Sequence, residues 1–203
     1  MNPVELEDVW LKAARLCGLI APIIVLPLIL LSIACSPWFS WTRNALSDLG
    51  VHEVAILFNS ALMIGGVLAL IFAFGLMQIL HQSKVGFTGT MALITAALSL
   101  FAVGFFPETA GRIHFYVSVA FFTLMIISQL LISAALVEKP SSRSLGIFTV
   151  LAAAASVGVW TFHFLASPIR GEAIPEFLSS IAFSLWSIVV SVRLLRHASF
   201  PKS

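Results

Sequence analysis

The sequence contains few charged residues. Only 10% of its 203 residues are Asp, Glu, Lys or Arg, and 60% are hydrophobic. A soluble domain carries about a quarter charged residues, so this composition excludes a soluble protein and indicates an integral membrane protein. The formal net charge is only +2. Nucleic acid is therefore not expected as a partner, because binding to it requires a strongly basic surface.

Cysteine is nearly absent as well. The two cysteines, Cys17 and Cys35, lie at opposite ends of the first apolar run. A helix that rises about 1.5 Å per residue holds them about 27 Å apart, which is too far for a disulfide bond. The chain is therefore not expected to depend on a disulfide for its fold.

Long apolar runs make up most of the remaining sequence. Six of them reach the length of about 20 residues that crosses a bilayer core. They predict an all-α fold, an integral membrane bundle of six transmembrane helices in a single domain, 1–203. The predicted spans are 17–36, 54–80, 85–106, 113–137, 145–166 and 174–195. Residues 1–16 combine Trp10 with acidic and basic side chains, which predicts a short interfacial helix before the first span.

The Lys and Arg residues are distributed unevenly between the two ends of the predicted bundle. Eight of them, including Arg196 and Lys202, lie at the end that carries both termini. The other three are Arg43, Arg112 and Arg170. Because cytoplasmic loops carry the excess of positive residues, the N- and C-termini are expected to be cytoplasmic. We expect a multi-pass protein of the plasma membrane with three loops that face outward.

The first outward loop, residues 37–53, is predicted to contain a short helix. Four of its side chains fall on one helical stripe. The stripe consists of Trp38, Trp41, Ala45 and Leu49. Because Trp prefers the membrane interface, this helix is expected to lie among the outer headgroups. Gly50 is expected to end it as a C-terminal cap.

Polar side chains collect at the outward ends of the predicted helices, which favours a binding pocket there. Six of them are candidates for contacting a substrate or a lipid headgroup. These candidate binding residues are Asn44, Ser47, His52, Asn59, Arg112 and Arg170. A guanidinium group binds phosphate through two parallel hydrogen bonds, so Arg112 and Arg170 suit a lipid phosphate. In the alternative, both arginines pair with glutamates of the outer loops and only tie the loops together.

Two histidines near the outward boundary favour chemistry at this face. His114 opens the fourth span, and His163 lies about one turn before the end of the fifth. Ionisable groups within spans usually face the bundle interior and mark function. The candidate catalytic residues are Asp48, Glu108, His114 and His163.

A zinc site is one interpretation of these residues. His114 and His163, together with Asp48 or Glu108, would supply the three protein ligands of a catalytic zinc ion with an open position for water, so zinc is the candidate cofactor. In the alternative, each histidine bonds a loop carbonyl or carboxylate, and Asp48 bonds backbone amides or Arg43. No paired motif of the His-Glu-x-x-His kind is present to decide between them.

Four serines follow one face of the sixth predicted span. They are Ser180, Ser184, Ser187 and Ser191, at offsets of four, seven and eleven. Small residues allow transmembrane helices to approach closely. We interpret this face as a helix-packing seam rather than as a polar pathway.

Several short segments resemble known families. The segment Asn44-Ala-Leu-Ser-Asp-Leu-Gly50, Phe58-Asn59, and Phe-Pro-Glu108 before Gly-Arg-Ile-His114 resemble a prokaryotic six-helix membrane family of unknown function. More distantly, the Ser-Asp-x-Gly element and the His that opens helix four look like the eukaryotic superfamily of DRAM autophagy modulators and the GPI-anchor lipid-remodelling protein. The resemblance implies a six-helix bundle and a link to lipids. It implies no established active site. The residues that match by position are Asn44, Ser47, Asp48, Gly50, Asn59, Glu108 and His114.

Three functional hypotheses follow. The first is a lipid-associated membrane protein whose outward polar pocket binds a headgroup or another amphiphile, with ester or phosphoester hydrolysis or transfer as its enzymatic form. The second is a non-catalytic scaffold or chaperone that holds a protein partner or a second copy. The third is a small-molecule transporter, which ranks last because Pro22 and Pro27 have no matching interruption in the second half of the chain. Membrane lipids are the expected partners.

Overall fold

The computed structural model describes residues 3–195, with side chains described for residues 9–193. Six long helices make up this part of the chain. They are α1 (Pro3–Ala34), α2 (Ala55–Leu80), α3 (Lys84–Phe105), α4 (Arg112–Val137), α5 (Arg143–Ala166) and α6 (Ala173–Val190). All six are long and apolar enough to cross a membrane. The described residues contain no strand, so the all-α prediction with six spans is confirmed.

The two terminal helices differ from the prediction. The helix α1 is continuous from Pro3, so residues 3–16 belong to the first spanning helix rather than to the separate interfacial helix that was predicted. No Gly or Pro interrupts residues 4–16, which lets the helix continue. At the other end, α6 continues as a π-helical turn over Ser191–Leu195. Arg196 and Lys202, which contributed to the charge count, lie outside the described residues.

Consecutive helices pack side by side, and α1 contacts α6, which closes the bundle. Glycines sit where the helices come closest. A Cβ added to Gly66 of α2 would lie 2.6 Å from the backbone nitrogen of Phe101 of α3. Between α3 and α4, a Cβ on Gly89 would lie 3.0 Å from the backbone nitrogen of Ile132. Small residues therefore set the helix spacing, as expected where lipid gives no hydrophobic drive between helices.

The serine face of α6 also packs against a helix. The Ser187 hydroxyl donates a hydrogen bond to the carbonyl oxygen of Gly18 in α1, at 3.1 Å. Next to it, the buried indole nitrogen of Trp186 donates to the Thr149 hydroxyl of α5, at 3.0 Å. These contacts support the interpretation of the face as a packing seam. Ser180, Ser184 and Ser187 also line a small internal cavity of about 60 Å³.

Three connections lie at one end of the bundle, which we call the polar end. They consist of residues 35–54, 106–111 and 167–172. Two of them are joined through the backbone. The amides of Gly171 and Ala173 donate to the carbonyl oxygens of Thr42 and Asn44, at 3.1 and 3.0 Å. A Cβ on Gly171 would lie 2.6 Å from the backbone of Asn44, so this close pairing requires a glycine.

The helix predicted in the first connection is largely wrong. Only Leu46–Val51 is helical, as a short 3-10 helix. Before it, the Asn44 side chain accepts a hydrogen bond from the Ser40 amide, at 3.0 Å. The Asn44 carbonyl is occupied by the amide of Ala173. These competing hydrogen bonds use backbone groups that an α-helix needs.

The predicted roles of the Trp stripe and of Gly50 also change. Trp38 and Trp41 pack against the buried cluster that contains Leu46 and Leu49. Gly50 lies inside the 3-10 helix rather than after it. Among the described residues only Gly111 has a positive φ, so Gly50 is not a left-handed cap.

Candidate functional site

The most buried carboxylate of the polar end belongs to Glu176, in the first turn of α6. Its side chain is only 8% exposed. Its Oε2 accepts a hydrogen bond of 2.6 Å from the backbone amide of Leu46, the first residue of the 3-10 helix. A buried carboxylate requires such a partner. This contact therefore fixes the start of α6 against the connection between α1 and α2.

Asp48 is held within the same 3-10 helix. Its Oδ2 accepts hydrogen bonds from the Asn44 side-chain amide, at 2.6 Å, and from the Ala45 backbone amide, at 3.3 Å. The bond to the Ala45 amide agrees with the alternative interpretation of the sequence, in which Asp48 bonds backbone amides. The side chain of Asn44 therefore orients Asp48, while its backbone carbonyl accepts a hydrogen bond from Ala173, the first residue of α6.

Glu108 brings the third connection into the same place. It opens the short 3-10 turn Glu108–Ala110 between α3 and α4. Burial raises the pKa of Glu108 to about 7, assisted by a hydrogen bond to Asp48 and by the negative charges of Asp48 and Glu172. We call Asp48, Glu108, Glu172 and Glu176 the carboxyl cluster.

The buried imidazole of His114 is oriented on both sides. Its Nδ1 lies 2.7 Å from the carbonyl oxygen of Phe106. Because a carbonyl oxygen only accepts, Nδ1 carries the proton. The other nitrogen, Nε2, lies 3.3 Å from the Ser118 hydroxyl one turn later in α4. In the neutral ring Nε2 is the acceptor, so the hydroxyl of Ser118 donates to it.

The zinc site inferred from the sequence does not assemble. His163 packs edge-on against Trp160 and lines a groove on the α5–α6 face, whereas His114 faces Ser118. Over residues 9–193 no three His, Cys, Asp or Glu side chains are close enough together to hold a metal ion. The donor set of His114, His163 and Asp48 therefore does not fit zinc in this fold.

The six predicted binding residues divide into two groups. Asn44 and Ser47 lie at the carboxyl cluster, where Ser47 lines a cavity of about 50 Å³ together with Ser118 and Glu176. The other four lie elsewhere at the polar end. They are His52, Asn59, Arg112 and Arg170.

Two members of that second group have structural contacts. The exposed ring of His52 packs on Trp38, with ring centroids 4.2 Å apart. The Asn59 amide donates to the Gly50 carbonyl oxygen, at 2.9 Å. A Cβ on Gly50 would lie 2.5 Å from the Asn59 Oδ1, which explains why a glycine stands there. Asn59 therefore anchors the 3-10 helix to α2.

A larger groove of about 490 Å³ runs between α4 and α5. We call it the α4–α5 groove. Its walls are apolar and include Val119, Phe122 and Trp160. Two carboxyl side chains, those of Glu172 and Glu176, also line it. Ser118 also lines it. The groove therefore connects an apolar surface of the bundle with the carboxyl cluster.

Comparison with known families gives one match. A family model described as "Protein of unknown function (DUF998)" matches residues 19–193. The chain belongs to the DUF998 family. The match reaches from α1 to the end of the described side chains, so the predicted resemblance to a membrane family of unknown function is confirmed. The resemblance to the DRAM and GPI-anchor lipid-remodelling superfamily stays a prediction. No curated protein and no solved structure matches the chain.

Two residues of the candidate site were absent from the predicted set, namely Ser118 and Glu176. Ser118 follows His114 by four residues, so the sequence already predicts that both lie on the same face of α4. For Glu176, the sequence predicted only an ionisable residue in the first turn of the sixth span. Its hydrogen bond to Leu46 joins residues 130 positions apart, and no local pattern predicts such a contact.

Proposed function

We propose that this membrane protein binds a membrane amphiphile at its polar end. The apolar chain lies in the α4–α5 groove, and the head lies at the carboxyl cluster. The observation that carries the proposal is the continuity of the two: one groove is lined by apolar side chains over most of its length and by Glu172 and Glu176 at one end. Such a site presents an apolar wall with a few placed polar groups, as ligand sites do.

The groove is accessible from the side of the bundle. Phe115 and Val119 of α4 and Phe164 of α5 line it and are largely exposed. In a membrane these surfaces face acyl chains rather than water. An amphiphile therefore enters laterally and keeps its chain in an apolar medium throughout.

The carboxyl cluster selects the head. Carboxylates accept hydrogen bonds and attract positive charge, so a head that carries an ammonium group suits the exposed Glu172. The exposed Arg112 begins α4 directly after the connection 106–111, and the exposed Arg170 lies within the connection 167–172. Guanidinium groups suit a phosphate. A phospholipid with an amine headgroup matches both signs of charge, and we propose it as the ligand class.

Filling the groove tests this function. Val119→Trp places a large side chain in the groove. Val67→Trp is the control: it makes the same change on α2, at a residue that lines no described cavity. The side chain of Val67 is 45% exposed and that of Val119 is 48% exposed. Protein purified in mild detergent is analysed by native mass spectrometry for retained lipid. We expect an amine phospholipid on the wild type and on Val67→Trp, and its loss from Val119→Trp. Equal retention by both variants, or a wild type without lipid, contradicts the proposal.

The head is tested separately. Glu172→Gln removes one negative charge at an exposed position of the cluster. After exposure to vesicles that contain equal amounts of phosphatidylethanolamine and phosphatidylglycerol, the wild type should retain the amine lipid in excess. Glu172→Gln should lower that ratio. An unchanged ratio would show that the carboxyl cluster does not select the head.

The orientation of the site is also a proposal. From the Lys and Arg distribution, we propose that the polar end faces away from the cytoplasm in the plasma membrane. The amphiphile then comes from the outer leaflet.

A further inference from the structure

We propose that Ser118 is a nucleophile and His114 its general base, and that together they cleave a carboxyl ester of the amphiphile held in the α4–α5 groove. This inference rests on the proposed binding function and adds a reaction to it. The zinc hypothesis placed His114 as a metal ligand, whereas here its imidazole acts on a hydroxyl.

Three groups stand in the order that nucleophilic catalysis requires. His114 Nδ1 donates to the Phe106 carbonyl oxygen, with 2.7 Å between the two atoms. This leaves the lone pair of Nε2 for the Ser118 hydroxyl, whose oxygen lies 3.3 Å away. A nucleophile, a base and a group that orients the base form the general arrangement of activated serines. A separation slightly above 3.2 Å is common where no substrate is bound.

Ser118 differs from the other hydroxyls of the helices in its hydrogen bond. Hydroxyl groups inside transmembrane helices usually donate to the carbonyl oxygen one turn earlier. Several in this bundle do so, with distances of 2.8 to 3.0 Å. They include Ser32, Thr95, Ser99, Thr149 and Ser180. The described hydrogen bond of the Ser118 hydroxyl is instead with an imidazole, which polarises it for attack.

The position of Ser118 fits an ester bond. Ser118 lines the α4–α5 groove and also the cavity of about 50 Å³ that Ser47 and Glu176 share. It therefore lies between the apolar walls and the carboxyl cluster. In a membrane lipid the ester bonds lie between the acyl chain and the head. A lipid with its chain in the groove and its head at Glu172 brings the ester to this residue.

The reaction balances with water as the second substrate. Ser118 Oγ attacks the ester carbonyl carbon while its proton passes to His114 Nε2. The bond from that carbon to the alcohol oxygen breaks, and the proton moves from Nε2 to the leaving alcohol. Water then attacks the acyl-serine and gives a proton to Nε2. The fatty acid leaves, and Oγ recovers the proton.

Covalent labelling tests the nucleophile. The folded, detergent-purified protein is treated with an alkyl fluorophosphonate, and labelled peptides are mapped by mass spectrometry. We expect a label on Ser118, none in Ser118→Ala, and an unchanged label in Ser156→Ala. Ser156 is a matched control because it is buried in α5 and donates to the Ala152 carbonyl oxygen. His114→Gln should slow labelling by about a hundredfold or more, the range of general-base catalysis.

Hydrolysis of a fluorogenic diacyl phosphatidylethanolamine gives a second measurement on the same samples. Release of fatty acid by the wild type and its loss in Ser118→Ala support the proposal. A wild type that is neither labelled nor active, or a Ser118→Ala variant that reacts like the wild type, overturns it. If His114→Gln does not fold, the Ser118 comparison still decides. Lipid retention by the same wild-type sample separates failure of catalysis from failure of binding.

Discussion

The Glu176 carboxylate and the backbone amide of Leu46 form a hydrogen bond of 2.6 Å across 130 positions of sequence. It joins the first turn of α6 to the connection between α1 and α2. The carboxyl group is buried, so water cannot replace the bond without cost. The shape of the polar end therefore depends on this contact.

Removing the Glu176 side chain should destabilise the protein. Glu176→Ala leaves the Leu46 amide without an acceptor, which costs about 1–3 kcal/mol. Glu176→Gln keeps an acceptor oxygen for the Leu46 amide, so its effect should be smaller. Thermal unfolding in detergent should therefore give melting temperatures in the order wild type, Glu176→Gln, Glu176→Ala. Glu53→Ala, an exposed carboxylate of the same end, is the control, and equal melting of both Ala variants would contradict the prediction.

Helix packing at Gly66 gives a second prediction. Gly66→Ala places a methyl group 2.6 Å from the Phe101 backbone nitrogen, so α2 and α3 must move apart. Overpacking of this kind costs about 1–3 kcal/mol. Gly158 is the matched control, since a Cβ there meets nothing within 4 Å. The melting temperature should fall in Gly66→Ala and stay unchanged or rise slightly in Gly158→Ala. A fall of the same size in both would show that packing is not the cause.

Stability should depend on pH through Glu108. Its pKa is about 7 in the folded protein, against an ordinary value of 4.5. The folded state therefore binds this proton more tightly than the unfolded state. The resulting stabilisation is complete below about pH 4.5 and is lost as the pH rises through 7.

Comparison with Glu108→Gln isolates this effect. The wild type should lose more melting temperature between pH 5 and pH 8 than Glu108→Gln, whose amide does not titrate. Glu138→Gln, an exposed carboxyl at the opposite end of the bundle, should keep the wild-type dependence. Parallel curves for the wild type and Glu108→Gln would mean that Glu108 does not carry a raised pKa.

The proposed orientation predicts which end a membrane-impermeant maleimide reaches. Glu53→Cys tests the polar end and Glu138→Cys the opposite end, both at exposed positions and in a chain with Cys17→Ser and Cys35→Ser. In intact cells the reagent should label Glu53→Cys, and it should label Glu138→Cys only after permeabilisation. The reverse pattern would place the polar end in the cytoplasm.

The four inner predicted spans agree closely with the observed helices because apolar length is a local property. The second prediction, 54–80, differs from Ala55–Leu80 by one residue, and the fourth, 113–137, differs from Arg112–Val137 by one. In the first connection the same reasoning failed. Residues 37–45 have a helical periodicity, but Asn44 instead accepts hydrogen bonds from the amides of Ser40 and Ala173. Ala173 is distant in sequence, so no local pattern predicts this contact.

The sequence by itself determined that this is an all-α membrane protein and where its helices run. In lipid every backbone polar group must find a hydrogen-bond partner within its own segment, and a long apolar run meets this requirement by forming a helix. Only the tertiary structure decided which polar side chains meet. It brought the Glu176 carboxyl to the Leu46 amide and the amides of Gly171 and Ala173 to the carbonyl oxygens of Thr42 and Asn44. These contacts depend on the rotation and spacing of whole helices, which small residues such as Gly66 set at distant points.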